Sequence, residues 1–236
     1  MFTHYRTKAI ILKKVSRKET SKMLIVFSYS FGRIDILAKG ICRMESKLRG
    51  NIPLFGIANL EFIQGRAYKT LTDAVIFKDF PNIRKDLIKL EVAEKIVDIF
   101  HKLIKPPQKD KEIWKLFEEV FGVLNKDGKL KNAVLIYYYF LWHLLSILGY
   151  LPQLYSCISC GGLIKPKNLF FSFQGGLVCE KCQRSNYGLH IKVNTIKIFR
   201  EILKKDLKSL LKLKAEDGLW KELGKVSSSY LSSLPI

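Results

Sequence analysis

Lys8-Ala9-Ile10-Ile11-Leu12-Lys13-Lys14, Met23-Leu24-Ile25-Val26-Phe27-Ser28-Tyr29 and Ile34-Asp35-Ile36-Leu37-Ala38 decide the fold. Each run is short, rich in β-branched or aromatic residues, and bounded by polar or glycine-bearing breaks, so each reads as a strand. The breaks fall at Ser16 to Lys22 and at Phe31-Gly32-Arg33. After a basic loop, Ile57 to Ile63 and Tyr68 to Phe77 give two further strands, joined through Gln64-Gly65-Arg66. Five strands in fewer than eighty residues suit a small closed barrel, and the OB-fold is the common five-stranded form.

The apolar period changes at Asp79-Phe80-Pro81. Ile83, Leu87, Leu90, Val97, Phe100 and Ile104 recur at helical spacing until Pro106-Pro107. Asp110 is placed to cap a helix that carries Ile113, Leu116, Phe117, Val120, Phe121 and Leu124 on one face. From Ala133 to Leu151 the chain has no formal charge, a length sufficient to span a bilayer. Three consecutive tyrosines, His143, Ser146 and Gly149 favour instead the buried helix of a bundle, with no membrane partner. Asn194 or Thr195 can cap a later helix bearing Ile198, Ile202, Leu203, Leu207, Leu210 and Leu211, and a last helix runs from about Trp220 to Leu231. The expected fold is therefore α+β and multidomain. An OB-fold barrel occupies 1–79, and a helical domain at 80–236 holds an inserted module at 156–188.

That module is marked by Cys157-x-x-Cys160 and Cys179-x-x-Cys182. Two such pairs at this separation suit a Cys₄ structural Zn²⁺. Glycines beside both pairs let the backbone turn tightly around an ion. A complete Cys₄ shell leaves no open position, so one zinc ion there holds shape and does no chemistry. The alternatives are disulfides and a site that has lost its metal; disulfides are disfavoured because Met1 to Arg6 opens no secretory signal, which points to the reducing cytoplasm. Cys42 is left unpaired.

The chain of 236 residues carries 41 Lys+Arg against 21 Asp+Glu, a net charge of +20. Such a surface attracts polyanions, nucleic acid before anionic membrane. Residues 1–80 hold 15 Lys/Arg and six Asp/Glu. The densest stretch, Lys39 to Gly50, offers Lys39, Arg43, Lys47 and Arg49 on a glycine-bounded loop, diluted by Glu45. Of the nearby rings, Phe27 and Phe62 alternate into apolar strands and read as core. Tyr29 and Phe31, at a strand end, are the candidates for base stacking. Cations for phosphate with flat rings for bases is the recipe for binding single strands without sequence preference. Five phosphate contacts give a salt slope of about −3.5. A second cationic surface lies on the late helix, at Arg200, Lys204, Lys205, Lys208, Lys212 and Lys214.

Catalytic signatures are missing from the sequence. There is no phosphate-binding P-loop and no G-x-G-x-x-G, and the four histidines are scattered. The acidic pairs sit beside lysines on helix faces. The chain reads as a binding protein, with an RNA-binding or ribosome-associated factor as the competing class. An enzyme with a nucleic-acid substrate is the third.

Taken together, the residues resemble the RecO family of bacterial recombination mediators. Thr7 to Leu12, Glu19, Phe31-Gly32-Arg33, Ala38-Lys39-Gly40 with Arg43, Ser46, Lys47 and Arg49, then Phe55, Leu60-Glu61-Phe62 and Gly65-Arg66 carry the first part. Leu148 to Pro152, Cys157-x-x-Cys160-Gly161, Phe173-x-x-Gly176-x-x-Cys179-x-x-Cys182 and Ser228 to Leu234 carry the second. The resemblance implies a non-catalytic DNA repair and recombination protein, cytoplasmic and nucleoid-associated. It implies binding of single- and double-stranded DNA through the OB-fold and annealing of complementary strands. The implied partners are RecR, the C-terminal tail of single-strand-binding protein and, in some settings, RecF and RecA. Arg33 and Arg66 then join Tyr29, Phe31, Lys39, Arg43, Lys47 and Arg49 as candidate DNA contacts.

Overall fold

A computed structural model describes residues 3–48, 50–128, 132–183, 188–212 and 217–235. Five strands form a closed barrel: β1 (His4–Lys18), β2 (Ser21–Ser28), β3 (Gly32–Ala38), β4 (Ile57–Gln64) and β5 (Lys69–Lys78). The order around it is β1-β2-β3-β5-β4, with β1 paired to both β2 and β4. The β3–β5 pairing is parallel and the others are antiparallel, giving an OB-fold. β1 runs further than its apolar run suggests. It continues through Ser16-Arg17-Lys18, so the hairpin turns at Glu19-Thr20 rather than across Ser16–Lys22. Register shifts after Ile11 and Ser16 let so long a strand bend around the barrel.

Ala9, Ile11, Leu24, Val26, Ile36, Leu60 and Phe62 belong to the interior cluster. In β1, however, Ile10 and Leu12 are also buried, so four consecutive residues lose their solvent face. A strand covered on both sides needs a second layer. Helices α2 (Leu87–Leu103) and α3 (Lys111–Leu124) supply one. Phe27, opposite Ile10, sits 5.1 Å from Phe100 and 6.0 Å from Phe117 between ring centroids, and Phe55 sits 5.6 Å from Phe121. The barrel and these helices therefore share one compact unit, residues 1–133, and a second unit comprises 134–236. The change of period near residue 80 separates strand from helix but not these two units.

Within the first unit a short helix, α1 (Pro81–Lys85), precedes α2. Asp86 separates them because its carboxylate caps α2 through the amides of Ile88 and Lys89. Asp110 caps α3 as expected, accepting from Glu112 and Ile113. In the second unit, α4 (Ala133–Ile147) is the apolar helix, and its Trp142 is fully buried against Phe199 and Tyr230 at 4.2 and 5.6 Å. Among the described residues, no helix is long and apolar enough to cross a membrane. A three-stranded sheet follows: β6 (Leu169–Ser172) lies between β7 (Gly176–Val178) and β8 (Leu189–Ile191).

Helix α5 (Val193–Lys204) starts without a side-chain cap from Asn194 or Thr195. Glu222 of α7 (Asp217–Ser233) takes that role. Its carboxylate accepts from the Lys192 amide at 3.3 Å and from the Thr195 hydroxyl. The expected continuation to Leu211 breaks at Lys205-Asp206, where Asp206 caps the separate turn α6 (Leu207–Leu210).

Candidate nucleic-acid interface and metal centre

Residues at one end of the barrel build an open groove of about 680 Å³ lined by Arg17, Ser21, Lys39, Gly40, Arg43 and Tyr68, among others. Three cations and one ring meet there. The Arg17 guanidinium donates to the Tyr68 hydroxyl at 2.9 Å and lies 5.6 Å from its ring centroid. Tyr68 remains 43% exposed, so a base can still reach it. Gly40 enters the left-handed region at φ 65°, and its carbonyl accepts from the Arg43 amide at 3.0 Å. That turn brings Arg43 back beside Lys39, which a residue with a Cβ would resist. Ile41 and Ile52 are sunk into the barrel core and pin the loop, leaving Arg43 and Lys47 in solvent between them.

The structure sorts the sequence candidates. Lys39 and Arg43 line the groove, Lys47 is exposed on the same loop, and Arg66 is exposed in the β4–β5 turn beside Tyr68. Arg49 lies outside the described residues, as does Lys214 of the second cationic surface.

Arg33 is tied to α2: its Nη1 donates to the carbonyls of His101 and Ile104, at 3.1 and 2.7 Å, at the C-terminal end of that helix. Phe31 is partly buried, its ring edge-on against Tyr5 and Phe62 at 5.7 and 5.6 Å. Tyr29 is 45% exposed but stands edge-on to Trp114 at 5.4 Å. Phe27 and Phe62 are core, as their alternation implied.

Sequence reading missed Arg17 and Tyr68. Arg17 sits in the stretch read as a break, and only strand pairing brings it opposite the β4–β5 turn.

The four cysteine sulfurs of the second unit all lie within 4.8 Å of one another. Sγ of Cys160 and Sγ of Cys179 are 3.9 Å apart. Tetrahedral metal–sulfur bonds of about 2.3 Å put sulfurs about 3.8 Å apart, so the cluster fits one four-coordinate ion. Both knuckles have the required turns. The amide of Gly161 donates to the Cys157 carbonyl at 2.8 Å, and that of Cys182 to the Cys179 carbonyl at 3.0 Å.

Burial raises the Cys157 thiol, but amides led by that of Cys179 outweigh it and bring it down to about 6. Cys182 is pushed up to about 12, because Cys179 and Cys160 hydrogen-bond its protonated form. A cation held among the four sulfurs would stabilise their thiolate forms. Among the described residues these cysteines are the one group of three or more His, Cys, Asp or Glu side chains close enough to share an ion.

Residues 1–80 match the family model "Recombination protein O N terminal", and residues 84–234 match "Recombination protein O C terminal". The chain belongs to the recombination protein O (RecO) family. Its relatives include the DNA repair protein RecO of Dehalococcoides mccartyi, 29% identical over 221 residues that cover 93% of this chain and 86% of that protein. The RecO proteins of Alkaliphilus metalliredigens and Acetivibrio thermocellus are 27% and 28% identical over 227 and 229 residues. Those two alignments cover 96% and 97% of this chain and 92% and 90% of the relatives. Both halves of the RecO pattern are therefore present, and OB barrel and four-cysteine cluster are found together in this member.

Proposed function

We propose that this chain is a non-catalytic recombination mediator of DNA repair. It binds single- and double-stranded DNA, anneals complementary strands, and helps RecA load onto strands coated with single-strand-binding protein. The observation that carries this reading is the groove that Arg17, Lys39 and Arg43 line together with the accessible ring of Tyr68, on a chain that belongs to the RecO family along nearly its whole length.

Annealing requires no bond to be broken. The cations neutralise backbone repulsion, while a shallow stacking surface leaves base edges free to pair. Lys47, Arg49 and Arg66 extend the phosphate contact, with Tyr29 as an outlying ring. The net charge of +20 hastens the encounter of strand and protein.

One Zn²⁺ held by Cys157, Cys160, Cys179 and Cys182 supplies a cross-link and no reaction chemistry. The expected partners are RecR and the acidic tail of single-strand-binding protein, with RecF and RecA in some settings. The site of action is the cytoplasm, at the nucleoid.

The test is annealing of complementary oligonucleotides precoated with the cognate single-strand-binding protein, without nucleotide. Acceleration is the expected result. Absence of acceleration on coated and naked strands alike, with tighter binding of matched RNA, would replace this reading by the RNA-binding one.

A further inference from the structure

Tyr155 lies just ahead of the first cysteine pair, and it is 47% exposed. Two cations of α5, one helical turn apart, stand over its ring. The Arg200 guanidinium carbon is 4.6 Å from the ring centroid and Lys204 Nζ is 5.5 Å away. Arg200 is held in place by the Leu154 carbonyl, to which Nε donates at 3.1 Å and Nη2 also donates. Two of its five N–H donors are used there, and among the described residues no carboxylate pairs with it. The nearest acid on the helix, Glu201, is paired with Lys205 at 2.6 Å and so leaves Lys204 its charge. Lys197 and Lys208 are exposed along α5 and α6. The Tyr155 carbonyl accepts from the Ile164 amide at 3.0 Å, which brings up the loop of Lys165.

A half-exposed ring with Arg200 and Lys204 over it leaves its other face for a base and sets charge beside it for the phosphates. Duplex DNA presents no unstacked base to such a ring, and a peptide of acidic residues alone would use only the cations. We propose that Tyr155, Arg200 and Lys204 form a second contact for single-stranded DNA, in the second unit and independent of the barrel groove. One unstacked base lies on Tyr155, with adjoining phosphates on Arg200 and Lys204. This rests on the reading of the chain as DNA-binding, and it supplies a place for the second strand of an annealing pair.

The experiment uses the full chain, loaded with zinc, and an oligo(dT) bearing 5-iododeoxyuridine, with photo-cross-links mapped to peptides. Expected are two sets of cross-links, one in the barrel and one on the peptide containing Tyr155. The second set persists in a Lys39→Ala/Arg43→Ala variant and in Tyr155→Phe. It falls about tenfold in Lys204→Glu, whose melting temperature and zinc content serve as folding controls. Cross-links confined to the barrel would overturn the proposal and leave the barrel reading standing. Cross-links nowhere would overturn both. Protection of Lys204 from acetylation by an acidic peptide but not by oligo(dT) would assign the surface to protein docking and overturn it as well.

Discussion

The barrel and the cysteine module reach order by opposite means. The barrel encloses a continuous apolar cluster from Ala9 through Phe62 to Ala74, and its strands run seven to fifteen residues. The module's strands are three or four residues long. Elements that short bury too little surface to hold themselves. Phe171 of β6 ties the module to the helices of its own unit, at 6.1 Å from Phe199 and 5.8 Å from Tyr230, and an ion held by the four cysteines would supply the rest. A hydrophobic core tolerates the loss of one contact, whereas a four-ligand site does not.

The largest effect therefore belongs to the metal. Cys182→Ser, or a strong chelator, should abolish zinc binding and melt the module while the barrel's strand signal in circular dichroism persists. The scale is large, since structural zinc contributes about 10–16 kcal/mol of apparent binding energy in small domains. A single transition unaffected by chelation would erase the contrast.

Next in size is Gly32→Ala in the barrel. At φ 70° a Cβ would stand 2.3 Å from the Gln108 carbonyl oxygen. Backbone strain and forced displacement together cost at least about 2 kcal/mol, read as a lower urea midpoint.

Arg33→Ala follows, at about 1.5–3 kcal/mol for the hydrogen bonds lost at the end of α2. With that side chain committed to α2, the salt dependence of DNA binding should stay as in the wild type. A flatter slope would return Arg33 to the DNA contact.

His101 sets a pH dependence that vanishes at neutral pH. Burial, then the charges of Arg33 and Lys13, lower its imidazole to about 4, and neither ring nitrogen has a partner among the described residues. A base depressed in the folded state binds its proton more readily when unfolded. Stability should therefore be full above about pH 6.5 and fall as pH drops toward 4. His101→Phe should flatten that stretch of the pH–stability curve.

How much of this was legible follows the same contrast. The barrel strands were readable because period-2 alternation and β-branched residues mark them locally, and Asp110 announced its helix by position alone. The second layer over β1 had a signal in the unbroken run Ala9-Ile10-Ile11-Leu12, since a strand exposed on one side would alternate. The helix breaks at Asp86 and Asp206 were hidden because apolar spacing continues across them while the capping carboxylates do their work locally. The small sheet was invisible at three or four residues per strand.

At the candidate site, the cysteines were readable from spacing and Lys39 and Arg43 from charge. The fate of Arg33 was not, because its carbonyl partners lie 68 and 71 residues away. Arg17 and Tyr68, 51 residues apart, likewise meet only through strand pairing.

The most direct test of the central claim is the salt dependence of single-strand binding by the wild type and by Lys39→Ala/Arg43→Ala. Each phosphate contact contributes about 0.7 to the slope for single strands, so the double variant should be flatter by about 1.4 and bind more weakly at low salt. An unchanged slope in a variant of wild-type stability would contradict the account and move the interface away from the barrel groove.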